Sequence, residues 1–117
     1  MNEHGKINYV EFASANIPAT KNFFTAAFGW AFEDYGPDYT AFSNQGLDGG
    51  FYSAELSASA AKGSALIIFY SNELEKTQEQ VLLAGGAITK EIFAFPGGRR
   101  FEFTEPAGNE FAVWSDI

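Results

Sequence analysis

Few side chains in this sequence are equipped for chemistry, and most fall in stretches that read as strands. Tyr9 and Glu11 lie two residues apart in an alternating apolar segment, so both point to one face. A carboxylate beside a phenol can take and relay a proton, which makes Glu11 the candidate base. A mid-strand carboxylate facing an aromatic cavity needs a partner or a shifted pKa. A hydrated or ion-paired carboxylate near a sheet end is the plainer reading, and both stand. Arg99 and Arg100 adjoin in a chain with 7 basic residues, and alternation sends one inward. Alternation alone does not say which of the two it is; the inward one, carried as Arg100, has a guanidinium that can grip a carboxylate or phosphate with two parallel hydrogen bonds. Charge balance against Glu11, Glu102 or Glu110 is the competing account. The aromatics read as inward are Tyr9, Tyr70 and Trp114, with Phe51 or Tyr52 at the rim; core packing is the alternative for each.

Other chemistries lack their residues. There is no cysteine, which removes disulfides, thiolate metal sites and a cysteine nucleophile. His4 is the only histidine and precedes the first strand, so it reads as solvated and leaves a Ser-His-Asp triad without support. The paired glycines at 49–50, 85–86 and 97–98 sit at turns and helix ends, not in a phosphate-binding loop.

The formal net charge is −8 and the sequence pI about 4.4. Such a field repels nucleic acid and anionic membranes, so neither is an expected partner. No apolar run approaches a membrane span and the N-terminus lacks a signal-peptide core, so a cytoplasmic protein is expected. The 117 residues fit one domain, and 13 Phe, 5 Tyr and 2 Trp exceed what a small core needs. The surplus points to an aromatic-walled cavity or a sticky interface.

The elements that must position these residues occur twice. Residues 7–12 predict a strand, Asn16 a helix cap and Pro18 a first turn. The helix through residue 28 carries Phe23, Phe24, Ala27 and Phe28 as its apolar stripe, and Gly29 ends it. Strands follow at 30–35, 39–42 and near 51–52. Residues 53–64 are small and polar and read as a linker. A strand at 65–70 then opens a second copy, with a helix from about 73 to 84 (Leu74, Val81 and Leu82 inward) and strands at 87–94, 99–104 and 110–114. Tyr9 aligns with Leu66, Asn16 with Glu73 and Gly29 with Gly86, each 57 residues apart. The second copy carries about four extra residues in its middle. The predicted architecture is α+β: two paired βαβββ modules, about 6–52 and 65–115 within a single domain, forming a U-shaped eight-stranded mixed sheet.

That order, the helix end FFTAAFGW and the late stretch RRFEFTEPAGNEFAVW resemble the vicinal oxygen chelate superfamily, which includes glyoxalase I, extradiol dioxygenases and bleomycin-resistance proteins. The resemblance spans essentially the whole chain. Its most specific segment is Thr104-Glu105-Pro106-Ala107-Gly108-Asn109-Glu110-Phe111, which resembles the family's D-P-x-G-N turn before the last strand. The resemblance implies four ligand positions for one divalent cation, which fall on Tyr9, Leu66, Ala112 and, less securely, near Gly50. Leucine and alanine offer no lone pair, so the expectation is a protein without the family's metal and without a cofactor. The expected ligand is a small organic molecule, with Tyr9, Glu11, Phe51, Leu66, Tyr70, Arg100, Ala112 and Trp114 around it. A lyase- or isomerase-type enzyme using Glu11 and Tyr9, or an unorthodox metal site, is the second reading. A dimeric structural or regulatory partner is the third. The resemblance also implies a homodimer, because family members commonly build their cavities with help from a second chain.

Overall fold

The computed structural model describes residues 2–117. The chain runs β1 (Tyr9–Ser14), α1 (Ile17–Phe28), β2 (Phe32–Asp34), β3 (Tyr39–Gln45), β4 (Leu47–Ser53), a 3₁₀ turn (Ala60–Lys62), β5 (Ile67–Tyr70), α2 (Leu74–Leu83), β6 (Ala87–Phe95), β7 (Gly98–Thr104) and β8 (Glu110–Ser115). The α+β architecture is therefore the predicted one, with its eight strands divided into two four-stranded mixed sheets. Their orders are β1-β4-β3-β2 and β5-β8-β7-β6. In each sheet the first strand pairs in parallel with the last, and the other ladders are antiparallel. Register makes the repeat quantitative: Glu11 lies opposite Gly50, and Ile68 opposite Ala112. Gly50 and Ala112 are thus equivalent positions of the two modules.

Local chemistry explains the helices. The Asn16 side chain accepts from the Ala19 amide, satisfying one orphan donor, and Pro18 sits in the first turn. Gly29 stops α1 at φ 72°, a left-handed conformation that favours glycine. At α2 the Gly86 amide returns to the Val81 carbonyl. Leu74 and Val81, two turns apart, form the buried face of α2. Leu82 does not share it: one residue further turns it about 100° around the axis, leaving it 53% exposed. Trp30 is likewise not in a strand. It folds back under α1 and stacks on Phe24 at 4.5 Å.

The core lies around α1, which is wedged against both sheets. Phe24 packs on Phe51 of the first sheet and edge-on to Phe111 of the second. Phe23 meets Phe103, and Phe28 stacks on Phe69 at 4.3 Å. Much of the aromatic surplus is spent here, each fully buried ring stabilising the fold by about 2–3 kcal/mol before entropy is counted.

A second tie is polar. Glu105, only 2% exposed, accepts from the Thr20 hydroxyl, the Ala107 and Asn109 amides, and the Asn109 side chain. Asn109 Nδ2 also donates to the Ala13 carbonyl at 2.7 Å, and its Oδ1 accepts from the Ala58 amide at 2.8 Å. A buried carboxylate is tolerable only with its oxygens so occupied. The E-P-A-G-N segment therefore fastens the last turn of the second module to the first strand and helix of the other.

Candidate functional site

Residues alternating with the core side chains point away from α1, onto an open face of each sheet. On the first sheet Phe12 and Phe51 face the helix, so Tyr9 and Glu11 take the other side. A third residue, Tyr39 of β3, joins them. Its hydroxyl donates to Glu11 Oε2 at 2.9 Å and lies 2.6 Å from the Tyr9 hydroxyl, giving an unbroken Tyr9–Tyr39–Glu11 chain. Burial raises the Tyr39 pKa well above the ordinary phenol value, and the hydrogen bonds to Tyr9 and Glu11 push it further. The sequence reading missed Tyr39. Its signal was weak: register across β3 and β4, which sets Tyr39 opposite Tyr52, is not visible from one strand alone. Tyr9, Glu33, Tyr35 and Asp48 border a hollow of about 490 Å³ beside this chain.

On the second sheet the two arginines separate. Arg99 turns toward α2 and pairs with Glu75, which holds that carboxylate below its usual range. Arg100 takes the open face, where Nη2 donates to Glu102 at 2.8 Å. Its guanidinium lies 5.5 Å from the Phe93 ring centre, and Lys90 Nζ lies 4.4 Å from the same ring. Arg100, Trp114, Ile68 and Phe95 border a shallow, open slot of about 330 Å³. Tyr70 meets Trp114 edge-on at 5.3 Å and donates to Asp116, a bond that raises its own pKa.

The sequence-named residues thus fall into two groups, one on each sheet: Tyr9 and Glu11 on the first, where Tyr9 borders the 490 Å³ hollow, and Tyr70, Arg100 and Trp114 on the second, where Arg100 and Trp114 border the 330 Å³ one. Leu66 is half-buried just before β5, and Ala112 is fully buried opposite Ile68. Phe51 is a correction. It is fully buried against Phe12, Phe24 and Phe42, because the alternation of β4 directs it to the helix side and sends Tyr52 outward. A third hollow, about 410 Å³ and apolar, lies between the modules, with Val10 and Phe12 on one wall and Ile67 and Phe69 on the other.

The four positions implied for a divalent cation do not fit one. Tyr9 is committed to Tyr39, while Leu66 and Ala112 carry no donor atom. At Gly50 a Cβ would run into the Tyr39 hydroxyl and sit 2.9 Å from the Thr40 carbonyl, so no ligating side chain fits there as the strand stands. Among the described residues no group of three or more His, Asp or Glu side chains gathers to replace them. Among the described residues, too, no helix is long and apolar enough to cross a membrane.

A family model for the Glyoxalase/Bleomycin resistance protein/Dioxygenase superfamily matches residues 6–113, and the chain belongs to that superfamily. Solved structures agree on the fold. A glyoxalase/bleomycin resistance protein/dioxygenase family enzyme from Burkholderia phytofirmans PsJN superposes with a TM-score of 0.81 at 16% identity, covering 97% of this chain and 100% of that one. A glyoxalase-related enzyme from Fulvimarina pelagi gives 0.79 at 18% identity, over 95% of this chain and 88% of its own. Lactoylglutathione lyase from Agrobacterium tumefaciens gives 0.72 at 16% identity, over 97% and 96%. At these identities the likeness is one of fold. No curated protein sequence matches the chain.

Proposed function

We propose that this protein binds a small organic molecule on the open faces of its sheets without a divalent metal. The observation that carries the reading is the content of the four superfamily metal positions: a committed phenol, a glycine crowded by that phenol's neighbour, a leucine and an alanine, beside aromatic-walled hollows. Such walls hold a planar or apolar ligand by area burial, with a few polar groups setting its orientation. The test is thermal shift of chelator-treated protein against nickel, manganese, iron(II), zinc and a diverse organic fragment set. A ligand selective for the folded state at about 100-fold over its Kd adds roughly 2.7 kcal/mol. Saturable shifts from fragments and none from metals are expected. A saturable metal shift abolished by Glu11→Ala would overturn the metal-free reading.

We also propose that the working unit is a homodimer. β1 and β5 each end their sheet and no ladder joins them. Exposed apolar residues flank or occupy these edges: Ile7, Tyr9, Ile68 and Tyr70. A free edge of that character invites another strand. A monomer by light scattering at micromolar concentration would contradict this.

One observation favours a second reading, an enzyme that abstracts a proton. The chain from Tyr9 through Tyr39 to Glu11 links a half-exposed phenol to a carboxylate, so a proton taken at Tyr9 has a path. Turnover unaffected by Glu11→Gln would remove it.

A further inference from the structure

We infer that the slot on the second sheet takes the carboxylate of a planar, aromatic anion, with Arg100 as its anchor; the inference rests on the small-molecule reading above. The guanidinium is under-satisfied. Of its five N–H donors, only Nη2 meets an acceptor among the described residues, and Nε is buried with no partner at all. Buried donors are normally paired, so this guanidinium keeps bonding capacity beyond Glu102, with Nη1 as its unbonded accessible edge. Its one partner, Glu102, does not balance the local charge. Lys90 stands across the ladder opposite Glu102 and reaches over the Phe93 ring that Arg100 also covers, so Glu102 stands between two cations, while Asp116 near Trp114 is taken up by the Tyr70 hydroxyl. In a chain of net charge −8 such a pair of neighbouring cations is unusual, and Arg100 lines a hollow.

The remaining walls define the rest of the ligand. Trp114 and Phe95 have ring centres 6.5 Å apart, and Ile68 closes the slot with an aliphatic surface. A flat ring lies against these walls with its carboxylate toward the guanidinium edge. Neutral planar molecules gain the area burial without the charge-assisted bonds, and cationic ones meet Arg100 and Lys90 unfavourably. Glu102 competes with the ligand for the same donors.

The experiment is tryptophan fluorescence of the full chain titrated with benzoate, benzamide and benzylamine at fixed ionic strength. Trp114 borders the slot while Trp30 lies in the core, and Trp114→Phe assigns the signal. Benzoate is expected to bind at least about 10-fold tighter than benzamide, with benzylamine weakest. Arg100→Gln should abolish the preference for benzoate over benzamide, and Glu102→Gln should tighten benzoate binding, each variant checked for an unchanged circular dichroism spectrum. If Arg100→Gln does not fold, the Glu102→Gln result alone decides, since a purely structural ion pair predicts no tightening. Equal binding of benzoate and benzamide would overturn the anion assignment while leaving the small-molecule reading in place. No binding of benzoate would overturn it too; fragment hits elsewhere in the thermal-shift screen would then show that only this inference had failed.

Discussion

Asn109 is the residue whose removal should cost the fold most for its size. Asn109→Ala deletes three hydrogen bonds at once: to the Ala13 carbonyl, from the Ala58 amide and to Glu105. The site is fully buried, so water does not replace them. A net bond is worth about 1 kcal/mol, but an orphaned buried donor or acceptor costs about 1–3 kcal/mol, and the variant leaves one amide and one carbonyl orphaned. The expected loss is about 3–5 kcal/mol, a large share of a total stability of roughly 5–15 kcal/mol. For a chain of this size that lowers Tm by about 12–20 °C. Urea denaturation followed by circular dichroism reads it directly, with Asn109→Asp as the companion. Aspartate keeps the Ala58 acceptor but sets a second carboxylate against Glu105, so it should be no more stable than the alanine variant. A loss below about 1 kcal/mol for Asn109→Ala would refute the claim that this turn fastens the modules together.

The other predictions concern side chains already placed. Tyr39 should stay protonated where ordinary tyrosines ionise. Because its pKa is raised in the fold, the stability it contributes is fully present below about pH 10 and is lost as pH climbs further; phenolate absorbance of Tyr39→Phe against the parent chain isolates its titration. Glu11→Gln should bring that titration down, and no change would dismiss the hydrogen-bonded chain. Gly50→Ala should destabilise by about 1–3 kcal/mol through its collision with Tyr39, and Tyr39→Ala in the same chain should recover part of that, measured by urea midpoints. Phe24→Ala should cost about 3–5 kcal/mol, whereas Leu82→Lys should stay within about 0.5 kcal/mol; a costly Leu82→Lys would contradict its outward placement.

The fold was legible because it rests on local and periodic signals. Asn16, Pro18 and Gly29 mark one helix by backbone chemistry alone, and the 57-residue offset doubles every such signal. The faces were harder. Phe51 and Tyr52 are adjacent, and choosing which one faces outward needs the register with β1, a long-range fact. Leu82 failed for a similar reason, since several apolar residues near one helix end do not say which stripe is inward. Arg99 and Arg100 became distinguishable only through their partners, Glu75 and Glu102. Tyr39 became a site residue only because Gly50 leaves room for its ring. The E-P-A-G-N turn was read as a family signature, and its hydrogen bonds show why the signature is there: it is an anchor of the fold.

That anchor also sets when the protein can become itself during synthesis. Thr20 waits for Glu105, 85 residues downstream, and the Ala13 carbonyl waits for Asn109, 96 residues downstream. Until those residues leave the ribosome, the phenylalanine face of α1 lacks Phe103 and Phe111 and stays uncovered. The first module therefore cannot complete its core until β7 and β8 follow it. Translation pauses between Phe28 and Glu105 would lengthen that exposure.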